Sequence, residues 1–352
     1  LPNAGFENFH DASGTKEPNG WHSFKTCTGS QSGTAKKANN TFKESTEKHS
    51  GTNCVKVQSA LLLFNTIPAN GTMTTGRLHA GSMSAANTAN NSTLDFSDKE
   101  KDGNGDPFYP IFTTKPDAMT VWVKFKGNVK EHPYATVKAI LANDKVQDPE
   151  IDDYKKNVIA RAANAQIKSN NFVWQELNIP FKYENKNTPK GMLVTISTNA
   201  EAGKASSDKN NLDVIYVDDI TMIYNSGLKS AQHKNTNLSF ADNKAAIEIE
   251  GKANEADFSI ASDGEGAYIS KVLKNNEGET GKSTLYITIT SNDLQKSNCF
   301  EVAITDKTAT GIFNIKSDSN ATSSTLYNLA GQQVSNSYKG IIIKNGKKYI
   351  NK

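Results

Sequence analysis

Met119-Thr120-Val121-Trp122-Val123-Lys124-Phe125-Lys126 is the stretch that decides the fold. Met119, Val121, Val123 and Phe125 fall on one side of an extended chain; Thr120, Trp122, Lys124 and Lys126 fall on the other. A period of two with one apolar side is the pattern of a half-buried β-strand. Tyr134 to Leu141 repeats it, with Ala135, Val137, Ala139 and Leu141 inward, and Gly191 to Ser197 does so with Met192, Val194 and Ile196. Phe172 to Ile179 and Val214 to Tyr224 are further apolar, β-branched runs. Helical periodicity is scarce; Asp152 to Ala163 reads either as one short helix or as a polar loop. The fold class that follows is all-β.

Working outward, long polar segments separate the strands: Gly29 to Gly51, Gly81 to Pro107 and Asn199 to Asn211, rich in Ser, Thr, Asn, Lys and Gly. Loops of this length in a compact domain are usually binding loops or mobile segments. After Tyr224, Asn225-Ser226-Gly227 reads as a linker. Shorter, evenly spaced strands follow at Ala245 to Glu250, Ala256 to Ala261, Ala267 to Leu273, Thr284 to Ser291 and Cys299 to Thr305, a spacing that predicts an Ig-like β-sandwich over 227–306. A Ser/Asn-rich stretch, Ser317 to Ser324, introduces a short β-rich C-terminal tail, 307–352. There Asn345-Gly346, between Ile341 to Lys344 and Lys347 to Ile350, signals a two-residue type I′ hairpin.

The bulk properties narrow the function classes. A chain of 352 residues exceeds the usual size of one core and predicts two or three domains. With 40 basic and 37 acidic residues the net charge is only +3, a near balance that argues against a dedicated nucleic-acid binder. No apolar run reaches the length of a transmembrane segment; the longest, Ala60 to Phe64, is strand-sized. The chain opens at Leu1 with neither Met nor an apolar signal core, so the expectation is a mature chain whose export signal has been removed. Cys27, Cys54 and Cys299 are too few for a disulfide framework; Cys27 and Cys54 either pair or remain free thiols.

Two motifs suggest a family. Asn3-Ala4-Gly5-Phe6-Glu7, followed by Pro18-Asn19-Gly20-Trp21, resembles the opening of galactose-binding-like jelly rolls, and Val217-Asp218-Asp219-Ile220 resembles their late acidic strand. Thr75-Gly76-Arg77-Leu78, the run Phe112 to Met119 leading into Val123 to Lys126, and Ile215 to Asp219 extend the likeness. Residues 1–226 are thereby similar to the carbohydrate metabolism domain family of Bacteroidetes, which implies a jelly-roll β-sandwich associated with glycan use. Family members often carry aromatics in the loop before the closing strand; Ser197 to Asn211 has Ser and Gly but none. Leu326 to Val334 and Gly340 to Tyr349 resemble a C-terminal segment on exported proteins of these bacteria. Export to the periplasm, the cell surface or the medium is the localisation this implies, with association at the outer membrane or cell surface.

The resemblance also implies a structural Ca²⁺ between the first and last strands, with Glu7 and Asp219 in the matching motifs. Asp102, Asn104 and Asp106 make a second acidic alternation. It lacks the Gly and the twelfth-position acid of an EF-hand, and reads as a solvated loop. A poly- or oligosaccharide partner needs aromatic faces for its C–H surfaces and planar polar groups for its hydroxyls. Trp122, on the otherwise polar side of its strand, is either such a platform or is covered by a loop. Trp174 shares a side with Phe172 and Glu176. Arg77, His79 and Tyr109 sit on or beside long loops and are the remaining candidates, while Trp21, after a turn, reads as a packing residue. Three functions stay open: glycan binding, a glycoside hydrolase using two carboxylates among Glu176, Asp213 and Asp219, and a structural or adhesive surface protein. His10, His22, His49, His79, His132 and His233 show no metal-ligand spacing, and no nucleophile elbow or phosphate loop occurs.

Overall fold

A computed structural model describes residues 1–309, 325–344 and 347–351. The stretch Ser317 to Ser324 and the Asn345-Gly346 turn lie outside the described residues. The chain divides into two compact units, one of residues 1–238, 258–271 and 287–300, the other of 239–257, 272–286 and 301–352. The architecture is all-β, as the alternation predicts.

Eight strands build the main sandwich of the first unit: β1 (Cys54–Gln58), β2 (Thr72–Thr74), β3 (Ala118–Lys126), β4 (Ala135–Ala142), β5 (Val158–Ile167), β6 (Gln175–Pro180), β7 (Gly191–Ser197) and β8 (Val214–Ile223). One sheet runs β6-β3-β8-β1, extended at its edge by Thr41–Glu44; the other runs β5-β4-β7-β2, extended by Lys182–Tyr183. Successive strands switch sheets at every step except from β4 to β5, and the first and last strands are neighbours, with Val55 opposite Val217. That order is a jelly roll. The inward residues of both sheets form one core, including Val121, Val123 and Phe125 of β3, Val137 and Leu141 of β4, Val194 and Ile196 of β7, and Ile215 and Val217 of β8.

The two end motifs meet. Trp21, fully buried, packs on Phe6 with ring centroids 5.2 Å apart and donates its indole N–H to Pro2 O at 3.0 Å; it is a packing residue, as expected. On β8 the register against β3 shifts between Thr120 and Trp122, and Asp219 adopts φ +46°. A bulge needs one residue in an unusual conformation, and Asp tolerates the left-handed region better than most. Past it, Ile220 N–H donates to Ala4 O at 2.9 Å, seating the N-terminal segment on the last strand.

The segment from Asp152 is neither helix nor loop throughout. A 3₁₀ turn, Asp152–Asn157, leads into β5, whose Ile159, Ala160, Ala162 and Ile167 join the core. Ladder pairing of β5 with β4 overrides the helix preference of its alanines. The long segments Gly29 to Gly51 and Gly81 to Pro107 are also more ordered than their composition suggests. They contain Thr41–Glu44, which pairs with β1, and Asn90–Leu94, which pairs with Arg77–Ala80 and Val146–Asp148. Cys27 and Cys54 are free and buried. Cys27 packs with Leu78 and Ala80, Cys54 with Val214 and Tyr216.

Beyond β8, Leu228–His233 pairs with Phe258–Ser262 and with Thr236–Asn237. A four-stranded sheet has the order Lys244–Ile249, Ser297–Asp306, Lys282–Thr290, Tyr268–Asn275, its first pair parallel. Each strand expected between 245 and 305 is present, displaced by at most two residues. In the tail, Gly340–Lys344 and Lys347–Asn351 pair antiparallel with Lys344 opposite Lys347. Leu326–Asn328 and Gln333–Val334 complete that sheet. Among the described residues no helix is long and apolar enough to cross a membrane, which leaves β-barrels unaddressed.

Leu141, fully buried between the sheets, tests this core. Leu141→Ala is expected to cost about 2–5 kcal/mol of unfolding free energy in urea titrations, whereas Leu177→Ala, at the partly buried margin, costs less.

Candidate functional site

The alternation that buries Val137 and Val194 turns Thr136 and Lys138 of β4 and Thr195 and Ser197 of β7 to the other side of the second sheet. Thr136 stands opposite Ser197, and Lys138 opposite Thr195. Above them lies a groove of about 330 Å³. Its walls are the hairpin Ala60–Leu62/Ile67–Ala69, the strands Arg77–Ala80 and Asn90–Leu94, and the loop around 199–203. Apolar surface comes from Phe24, Leu62, Ile67, Pro68 and Met83, and planar polar groups from Gln31, Asn70, His79, Asn90, Asn91 and Asn199.

Each wall is held by identifiable bonds. Asn90 Oδ1 accepts from Gly81 N–H and Ser82 N–H, and its amide donates to Ser82 O and Ser84 O, which fixes the loop after Ala80. Asn70 Nδ2 donates to Asn199 O and Glu201 O. Asp213, wholly buried, accepts from Asn128 N–H at 2.6 Å, Ser206 N–H at 2.7 Å and Asn199 Nδ2 at 3.0 Å. That carboxylate therefore organises the 199–211 loop and has no free face for catalysis. Lys138 and Asp148 pair at 2.9 Å on the floor. Asn70 Oδ1 and Thr136 Oγ1 have no hydrogen-bond partner within the protein, so two lining side chains hold capacity that the fold does not use. Leu63, Phe64 and Asn65 at the hairpin tip all have φ between 44° and 64°, a costly conformation for three successive non-glycine residues. It leaves Phe64 fully exposed two residues beyond Leu62.

The other sheet carries a different cluster. On the outer side of β3, Trp122 is covered by the 45–53 loop. His49 stacks on it with ring centroids 3.8 Å apart, and Trp174 meets His49 edge-on at 5.8 Å. Asp218 Oδ2 accepts from His49 N–H and Ser50 N–H; burial pushes its carboxyl above the usual range. Asp219 Oδ2 lies 2.7 Å from His49 Nδ1, and its Oδ1 accepts from Ser50 Oγ. Glu7 accepts from the backbone N–H of Thr52 and Asn53, from the Thr52 hydroxyl and from Asn53 Nδ2. Gly51 permits this approach, since a Cβ there would meet Glu7 Oε1 at 1.7 Å.

The residues singled out from the sequence are thus divided. His79 lines the groove, its Nδ1 2.9 Å from Thr28 Oγ1. Arg77 points elsewhere: it pairs with Asp98 and Glu100 and lies 4.4 Å from the Phe108 ring centroid. Tyr109 packs with Phe96 against the cluster around Leu94 and Ile140. Trp122 and Trp174 come together, under a loop on the opposite sheet. Glu7 and Asp219 clamp adjacent residues of that loop, but the groups facing their oxygens are N–H and O–H donors. That set does not fit Ca²⁺, which needs six or more oxygen ligands. The Asp102 to Asp106 loop is not simply solvated, because Asp102 is buried. The groove's amides and its hairpin escaped sequence reading. Their one trace was the apolar run Ala60 to Phe64, too short to announce a binding wall.

Glu7 gives a pH test. The Thr52 hydroxyl holds its carboxyl below the usual range. Its contribution to stability is therefore complete above the unfolded value, about 4.3, and is lost as pH falls through the lower folded value. Glu7→Gln is expected to lower the melting temperature at neutral pH and to flatten the acid limb of the stability curve; an unchanged acid limb would rule the clamp out. No protein-family model matches the chain, and no curated protein matches it.

Proposed function

We propose that the chain is an exported carbohydrate-binding protein that takes a short stretch of saccharide in the groove on the second sheet. One observation carries this reading: the groove combines apolar patches with several amide side chains and an imidazole, the mixture that a sugar's C–H faces and hydroxyls require. The resemblance of residues 1–226 to a glycan-associated family, and of the tail to segments on exported proteins, points the same way. Asp148 is the one carboxylate among the groove-lining residues, and Lys138 neutralises it. A glycoside hydrolase needs a second carboxyl group roughly 5–9.5 Å from the first, so binding without turnover is the reading the groove favours.

A glycan array probed with the full chain, followed by calorimetry on the best ligand, tests this. Asn70→Ala and His79→Ala are each expected to weaken binding by about tenfold, the value of one hydrogen bond of about 1.4 kcal/mol. Trp122→Ala removes the stacking partner of His49. It is expected to lower the melting temperature while leaving the dissociation constant within about twofold, because its contacts lie on the other sheet. Silence across the array would leave a structural or adhesive role. Binding lost in Trp122→Ala but kept in both groove variants would move the site to the first sheet.

A further inference from the structure

Away from the groove, the N-terminal hairpin Phe9–Asp11/Lys16–Pro18 sets His10 opposite Glu17. The chain then turns through Gly20 and Trp21, and His22 exchanges backbone hydrogen bonds with Thr74 of β2. Asp102 enters from a distant loop. The side chains of Glu17, His22 and Asp102 are fully buried, and that of His10 is 10% exposed.

Each carboxylate here has one occupied oxygen and one free. Glu17 Oε1 accepts from the Ser23 N–H at 2.7 Å and from the Ser23 hydroxyl; Oε2 has no hydrogen-bond partner in the protein. Asp102 Oδ1 accepts from Asn104 N–H and Asp106 N–H; Oδ2 has none. Neither ring nitrogen of buried His22 has a hydrogen-bond partner. His10 Nδ1 lies 3.2 Å from Asn19 Oδ1, which leaves Nε2 facing inward. For Glu17, Asp102 and His10, outer atoms held by neighbours and inner atoms left over is the pattern of side chains oriented by a supporting shell around a metal; His22 contributes an imidazole with both nitrogens left over.

The spacing agrees. Asp102 Oδ2 is 3.5 Å from His10 Nε2 and 3.5 Å from His22 Nε2, and Glu17 Oε2 is 3.7 Å from His10 Nε2. An N–H···O bond would bring such pairs to about 2.7–3.2 Å. Two ligands on a tetrahedral ion at about 2.0–2.1 Å stand about 3.4 Å apart. Asp106, whose Oδ2 accepts from Gly20 N–H and Asn104 Nδ2, has a carboxylate oxygen within 4.8 Å of the ligand atoms of His10 and Asp102. Buried carboxylates facing neutral imidazoles lack a counter-charge and are costly; either protonated imidazoles or a divalent cation would supply one.

We propose that His10, Asp102 and Asp106, with the unpartnered Glu17 and His22 side chains beside them, form a binding site for a divalent transition metal of the Zn²⁺ class. Imidazole together with carboxylates suits Zn²⁺ and Co²⁺; Ca²⁺ and Mg²⁺ prefer all-oxygen sets. The side chains of His10, Glu17, His22 and Asp102 are almost wholly enclosed, so the ion is structural. It staples the N-terminal hairpin to the 102–106 loop and, through His22, to β2.

The test uses the full chain, stripped with a chelator and titrated with Zn²⁺ and with Co²⁺. Expected are one ion per chain by elemental analysis, a rise in melting temperature, and the visible absorption of tetrahedral Co²⁺. His22→Gln is expected to weaken Zn²⁺ binding by about a hundredfold or more. Because His22 is buried, His10→Gln serves as the milder variant; it should show the same direction with an unchanged far-ultraviolet circular dichroism spectrum. Failure of the stripped, folded chain to take up either ion stoichiometrically would overturn the site. So would wild-type Zn²⁺ affinity in a folded His10→Gln chain, or equal stabilisation by Ca²⁺.

Discussion

The bulge at Asp219 is the constraint on which much of the first unit depends. β8 lies between β3 and β1 and so closes the strand order of the jelly roll. A regular strand would keep both neighbours in register to its end. With Asp219 in the left-handed region, the register against β3 shifts and Ile220 N–H reaches Ala4 O instead. This docks the N-terminal segment, and with it Phe6 and Trp21, over the end of the core. The Asp-Asp pair follows from the same geometry. One carboxylate turns into the structure toward the backbone of the 49–50 loop, and the other turns outward toward the His49 and Ser50 side chains.

Buried carboxylates recur as loop organisers. Asp213 gathers the N–H groups of Asn128 and Ser206 with the amide of Asn199, Asp218 gathers those of His49 and Ser50, and Glu17 gathers the backbone and hydroxyl of Ser23. In a fold whose loops are long and polar, backbone donors must be satisfied without a ladder. A carboxylate can accept several at once, and its charge strengthens each bond. The three differ in what remains. Asp213 and Asp218 spend both oxygens on donors, whereas Glu17, like Asp102, retains one. That difference separates a structural anchor from a ligand, and sequence does not display it.

The two sides of the sandwich illustrate how a residue's chemistry and its role part company. Trp122 and Trp174 have the surfaces a sugar would stack on, yet His49 occupies the space beside them. The groove on the other sheet has no tryptophan. Its apolar walls come from a hairpin together with Phe24 and Met83, and its polar groups come mostly from asparagines scattered over more than a hundred positions. Long loops permit both outcomes, and the packing of 45–53 against β3 selects between them.

The meeting of the N-terminal motif with Val217 to Ile220 was implied by the resemblance to jelly rolls, whereas strand identity, the inward set of each strand and the all-β class were legible in the residues themselves. They rest on local alternation, which depends only on the period of an extended chain. The segment from Val158 to Ile167 was not, because its alanines suit a helix until β4 offers a ladder. The site lay further out of reach. His10 and Glu17 become cross-strand partners only once their hairpin forms, and Asp102 joins them from some eighty residues away. Pairing across a sheet and the closure of loops between sheets set these proximities. Both are long-range consequences of topology, so the linear spacing of the ligands carries no trace of them, whereas the alternation that builds the strands is written residue by residue.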